Sequence, residues 1–178
     1  MNMDFKKEIE TLFQPLVGQR AWGAKIGWGS FVTIEFGSKR LQDHHYHGDW
    51  HLWLYRCDWT LKSKTHELAN SESKRALMQA AIDNINGLEF ERLAFDLNRT
   101  WTEFIFQSGL RLRCQPYPDA EPNEEYWMLF LPDKQVASLV AQGLKYEPAS
   151  VADRRHEGDS EPTSSSRPVG DRRVRLED

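Results

Sequence analysis

The sequence predicts an α+β fold, with two amphipathic helices packed on curved, mostly antiparallel β-meander sheets. Two stretches, 4–14 and 71–86, carry apolar residues at helical spacing. Between and after them, short runs alternate apolar and polar residues and are separated by glycine-containing turns. The whole reads as one helix-plus-meander unit written twice, over 4–62 and 71–140. About seven to nine short strands in one or two sheets are expected from this layout.

In the first helix Phe5, Ile9, Leu12, Phe13 and Leu16 form the apolar stripe, and Lys6, Lys7, Glu8 and Glu10 lie off it. Pro15 biases Gln14 away from helical angles and ends the helix. The glycine-rich stretch Gly23 to Gly29 reads as a hairpin turn. It lacks the Gly-Lys-Ser/Thr ending of a phosphate-binding loop. Phe31 to Phe36 is a strand with Val32, Ile34 and Phe36 on one face, closed by Gly37-Ser38. Trp50 to Leu61 reads as a single long aromatic strand. The second helix carries Leu77, Met78, Ala81, Ile82 and Ile85, with Asn70 or Ser71 as its cap and Asn86-Gly87 as its stop. Trp101 to Phe106 answers Phe31 to Phe36, Ser108-Gly109 is the next turn, and Tyr126 to Leu131 is the closing strand. Ile9, Leu12, Phe13, Leu16 and Gly18 align with Met78, Ala81, Ile82, Ile85 and Gly87, which is the basis of the repeat.

Residues 1–147 form one compact domain on this reading. From Val151 onward the chain has no aromatic residue, and 148–178 reads as a disordered tail, because Glu161 to Pro168 cannot bury enough apolar surface to offset its ordering entropy. The 178 residues carry 23 basic and 27 acidic side chains, a net charge of −4, which gives no general field for nucleic acid or anionic lipid. No apolar run approaches the roughly 20 residues of a spanning helix, and the N-terminus lacks the apolar stretch of a signal peptide. Cys57 and Cys114 make no disulfide framework, so a reducing cytoplasmic setting is expected.

Four of the candidate site residues form an extended stretch. His45, His47, Asp49 and His51 point the same way if the backbone is extended, and imidazole with carboxylate is a zinc-type ligand set. The spelling is one residue away from the His-x-His-x-Asp-His signature of metallo-β-lactamase-like hydrolases. That family is rejected, because the further ligands and the strand–helix alternation are missing. The competing reading is a solvated polar loop before a buried strand. Trp50 and Trp53 are candidates for an aromatic binding surface, against the alternative that the tryptophan-rich ribbon is core. Arg111 and Arg113 alternate with Leu110, Leu112 and Cys114, on the exposed face of a strand where they could meet an acidic partner.

The segment Gly48-Asp49-Trp50-His51-Leu52-Trp53-Leu54-Tyr55-Arg56-Cys57-Asp58-Trp59, with the Gly-Ser-Phe-x-x-x-Glu-Phe-Gly strand at Gly29 to Gly37, resembles a family of small bacterial proteins of unassigned function. The resemblance covers about 12–145. It implies a bacterial, cytosolic, compact domain and no activity. In size, acidity and tryptophan content the chain also resembles the small immunity proteins of bacterial toxin systems. The leading expectation is therefore a non-catalytic module with a protein partner, engaged around the 37–49 and 116–125 loops. It has no cofactor, no nucleic acid and no membrane, and its oligomeric state is left open. The alternatives are a metal-binding protein or metal-dependent enzyme using the 45–51 cluster, with zinc as the ion, and a ligand binder with a Trp-lined groove.

Overall fold

The computed structural model describes residues 3–42, 44–96 and 101–152. The expectation for residues 153–178 lies outside the described residues. The chain runs α1 (Met3–Phe13), β1 (Trp22–Ile26), β2 (Val32–Phe36), β3 (Arg40–Gln42), β4 (His45–His47), β5 (Trp50–Leu54), β6 (Cys57–Lys62) and β7 (Glu67–Asn70). It continues through α2 (Arg75–Ile82), β8 (Phe90–Asp96), β9 (Trp101–Phe106), β10 (Leu110–Pro116), β11 (Trp127–Phe130), β12 (Gln135–Val140) and β13 (Gly143–Pro148). The strands form a six-stranded sheet β1-β2-β5-β11-β12-β13, a five-stranded sheet β7-β6-β10-β9-β8 and a separate β3-β4 hairpin, and every pairing is antiparallel. The fold class is α+β, with thirteen strands among the described residues where seven to nine were expected.

Several elements differ from the sequence expectation, each for a local reason. The ribbon from Trp50 to Leu61 is two strands. Arg56 takes a positive φ of 49°, and the turn at Tyr55-Arg56 sends β5 into one sheet and β6 into the other. The second helix starts at Arg75, because residues 71–74 are held in a turn. Ser71 N–H donates to the Trp59 carbonyl, and Asn70 Oδ1 accepts from Glu72 N–H and Ser73 Oγ. Leu77 is consequently half exposed rather than part of the buried stripe. Most of Gly23 to Gly29 is strand β1, and the turn itself is at Gly27–Phe31. Described secondary structure also continues past the expected boundary at 147. β13 runs to Pro148, residues 149–152 are helical, and Ala152 is fully buried against Met128 and Val136.

One main core lies between the sheets and helices. Ile9, Phe13 and Leu16 enter it from α1 and the 3-10 turn Gln14–Leu16, and Met78, Ala81, Ile82 and Ile85 from α2 and the 3-10 turn Asp83–Ile85. Trp59 and Trp127 are its largest side chains. Cys57 and Cys114 are buried beside each other, unbridged. The neighbouring thiol and burial push the Cys57 thiol well above its ordinary range.

Five strands of each half share one pairing pattern, and β13 has no counterpart. The first contributes β1-β2-β5 to one sheet and then sends β6 and β7 to the other. The second contributes β8-β9-β10 and sends β11 and β12 back. Leu61 opposite Ala69 corresponds to Leu129 opposite Ala137. Gly18 N–H donates to Phe90 C=O as Gly87 N–H donates to Ala21 C=O, and Ala21 N–H donates to Leu88 C=O as Phe90 N–H donates to Gln19 C=O. Gly18 and Gly87 take φ of 82° and 86°, where glycine is favoured. The reciprocal set centres on a bridge between Arg20 and Glu89, 69 residues apart. The first half has one insertion: the β3-β4 hairpin stands where the second half turns through Gln107–Gly109.

Candidate functional site

The site forms where this inserted hairpin returns to the six-stranded sheet. β2 is buried on both faces, so its polar residues Thr33 and Glu35 are buried along with Val32, Ile34 and Phe36. Glu35 is 4% exposed and sits directly across from His51 in the β2–β5 register. β4 brings His47 to the same carboxylate. His51 Nε2 is 3.2 Å and His47 Nδ1 3.8 Å from Glu35 Oε1. One ligand atom from each of the three residues lies within 4.8 Å of the other two. Gly48 makes the approach of the hairpin feasible. Its N–H donates to Glu35 Oε2 at 2.8 Å, and a Cβ there would stand 2.3 Å from the Phe36 carbonyl oxygen.

Burial dominates the electrostatics of the cluster. It pushes the Glu35 carboxyl up to about 7, while the Gly48 N–H and Lys25 pull it the other way. Burial also pushes His51 down to about 3, helped by His47 and Lys25. His51 is therefore neutral, with a lone pair to give. The Trp53 indole N–H lies 2.8 Å from its Nε2 and 3.2 Å from its Nδ1. Trp53 and Phe130 pack around the ring and keep water from its inner side.

Of the four metal-ligand candidates read from the sequence, His47 and His51 meet and His45 and Asp49 do not join them. His45 lies exposed on β4. Asp49 turns to the base of the hairpin, where it accepts from Ser38 N–H at 2.8 Å and pairs with Arg40, contacts that hold its carboxyl below the usual range. The backbone is not continuously extended, since it breaks at Gly48-Asp49 between β4 and β5. The third candidate ligand, Glu35, comes from a neighbouring strand, and only the pairing of β2 with β5 reveals it.

The other candidates are dispersed. Trp50 and Trp53 are half-buried in β5, and Trp50 packs on the main core. Arg111 and Arg113 are on the exposed face of β10, where Arg113 pairs with Glu103 at 3.1 Å and stacks over Trp101 at 4.2 Å. An aromatic cleft of about 340 Å³ does occur, lined by Trp28, Phe31, Tyr55, Cys57 and Tyr117, but neither Trp50 nor Trp53 lines it.

No family model, curated protein or solved structure matches this chain. Any functional reading rests on the geometry above. No helix among the described residues is long and apolar enough to cross a membrane.

Proposed function

We propose that the protein is a metal-dependent interaction module. A divalent first-row ion, zinc in the first instance, is taken by Glu35, His47 and His51 and fastens the β3-β4 hairpin to the six-stranded sheet. The hairpin's outer face then meets a protein partner. The observation that carries this reading is the convergence of three ligand atoms from three different strands. Bonds of about 2.1 Å at tetrahedral angles place neighbouring ligands roughly 3.4 Å apart; the 3.2 Å and 3.8 Å separations from Glu35 lie near this, and binding requires the half-exposed His47 to close on His51 and His51 Nε2 to exchange the Trp53 indole N–H for the ion. Two imidazoles and a carboxylate suit zinc and its neighbours, and three ligands leave one position for water or a partner's side chain.

The partner half of the reading is supported by Leu41 and Tyr46. They stand opposite each other in the hairpin register and are 66% and 62% exposed. Apolar side chains paired on a projecting ribbon favour contact with another protein. Neither the cleft beside Trp28 and Tyr117 nor the one between α1 and β8 is lined by Glu35, His47 or His51. We further infer that the two halves arose by internal duplication of a helix-plus-meander unit, supported by their matching pairing orders and reciprocal hydrogen bonds. The bacterial and cytoplasmic setting belongs to the same proposal, and the unbridged cysteines are consistent with a reducing compartment.

The test is a zinc titration of chelator-stripped protein followed by calorimetry and melting temperature. One equivalent is expected to bind. At free zinc ten times Kd the native state gains about 1.4 kcal/mol by mass action. His51→Ala removes the shift and His45→Ala keeps it. Absence of any shift in the wild type at about 100 µM zinc refutes the metal half of the proposal.

A further inference from the structure

The two outer strands that correspond, β1 and β8, are treated differently by the helices beside them. β1 is fully clasped by α2 and the turn after it. Ala24 N–H donates to Asn86 Oδ1, Ile26 N–H donates to Gln79 Oε1, and the Ile26 and Gly29 carbonyls accept from Arg75. Side-chain amides and a guanidinium thus stand in for a neighbouring strand, which an exposed sheet edge otherwise recruits.

At the corresponding place α1 offers Lys6, Glu10 and Val17 in the positions of Arg75, Gln79 and Asn86. Lys6 and Glu10 pair with each other at 3.7 Å, and Val17 has no polar group to give. A cleft of about 880 Å³ separates them from β8, with Phe13, Leu93, Phe95 and Trp101 among its walls. By correspondence with Lys25 opposite Thr33, Ala94 opposite Glu103 is the pair bonded inward, and Leu93 and Phe95 turn their N–H and C=O groups outward into the cleft. Among the described residues nothing takes those groups. β8 is also punctuated by charge, with Arg92 near one end and Asp96 at the other.

We propose that this cleft is the docking slot for the chain's own C-terminal run Arg173-Val174-Arg175-Leu176-Glu177, which adds to β8 as an antiparallel strand. The register that sets Leu176 opposite Leu93 and Val174 opposite Phe95 puts Glu177 opposite Arg92. That end then carries opposite charges across the pair, and both apolar residues lie on the face of Leu93 and Phe95. Reach is ample. The 21 residues from Ala152 to Arg173 can extend about 70 Å, against a radius of gyration of about 15 Å for a domain of this size. A single strand fits a slot walled on its far side by α1, whereas a whole second sheet would collide with that helix. The proposal is independent of the metal reading.

Amide hydrogen exchange of the full chain tests it, read at Leu93 and Phe95 by NMR, with global stability measured on the same samples. The wild type is expected to protect both amides, and the double variant Val174→Ser/Leu176→Ser to lower that protection about tenfold or more at unchanged global stability. Arg92→Glu lowers it too, and Arg92→Glu with Glu177→Arg restores it. Arg92 is exposed, so its reversal does not threaten the fold. Unprotected amides in the wild type, or protection indifferent to the Val174/Leu176 change, overturn the proposal. Protection that grows with protein concentration also overturns it, by assigning the strand to a second copy.

Discussion

Trp127→Ala lowers the free energy of unfolding by about 3–5 kcal/mol, and Trp59→Ala does the same. Both indoles are at 2% exposure or less and both carry a hydrogen bond. Trp127 Nε1 donates to Thr102 Oγ1 at 3.1 Å, and Trp59 Nε1 donates to the Ser30 carbonyl at 2.6 Å. Trp127 also stands edge-on to Phe13 at 5.2 Å and to Phe104 at 6.4 Å, so its loss opens a void shared by α1, β9 and β11. The cavity adds to the lost burial because the surrounding sheets relax only partly. Trp28→Ala is the control: at 73% exposure its replacement changes stability by about 0.5 kcal/mol or less. Urea unfolding followed by circular dichroism measures all three. A Trp59→Ala protein as stable as the wild type would move that residue out of the core and reopen the docking-surface reading of the ribbon.

Glu35→Gln makes the metal-free protein lose stability as the pH falls from 6.5 to 4.5, where the wild type is nearly flat. Glu35 is raised from 4.5 to about 7, so the folded chain keeps its proton across that window while the unfolded chain has released it. His51 is lowered from 6.5 to about 3, so the unfolded chain holds that proton and the folded chain does not. Between pH 4.5 and 6.5 each state therefore carries one proton on this pair, and the two linkages cancel. With Gln at position 35 only the histidine is left. Stability then falls with falling pH by at most about 1.36 kcal/mol per pH unit, close to 2 kcal/mol over the window once solvent at the rim of the site is allowed for. His51→Asn has the opposite slope: only the carboxyl is left, its contribution is fully present below pH 4.5, and it is lost as the pH rises to about 7. Thermal unfolding at stepped pH in the presence of a chelator reads both slopes, and parallel curves for the wild type and Glu35→Gln would contradict the linkage.

Much of this architecture was legible because its signals are local. The stripe Ile9, Phe13, Leu16 and its counterpart Met78, Ala81, Ile82, Ile85 are one-face patterns, and all these residues are buried. Gly18 and Gly87 mark stops that need a left-handed residue. The breaks were less legible. Tyr55-Arg56 contains neither glycine nor proline, so nothing in the spelling separates β5 from β6. β8 and β13 alternate too weakly to stand out from loop. The site was half legible for the same reason. His47 and His51 belong to one run of histidines, but Glu35 reads as the exposed member of an alternating strand. It is buried because β2 has β1 on one side and β5 on the other and is covered on both faces, a property of the assembled sheet and not of the hexapeptide.

The exchange of strands between the halves has a bearing on how the polypeptide matures as it leaves the ribosome. When β7 has emerged, β5 still has no neighbour on its far side and β6 has nothing to pair with but β7, since β10 begins 40 residues and β11 57 residues after β7 ends. The amino-terminal portion cannot finish a sheet on its own and must wait, with unsatisfied main-chain groups and apolar faces open, until the later strands are synthesised. Such an intermediate invites pairing with the wrong chain, and holdase assistance during synthesis would matter more for this molecule than its modest length suggests.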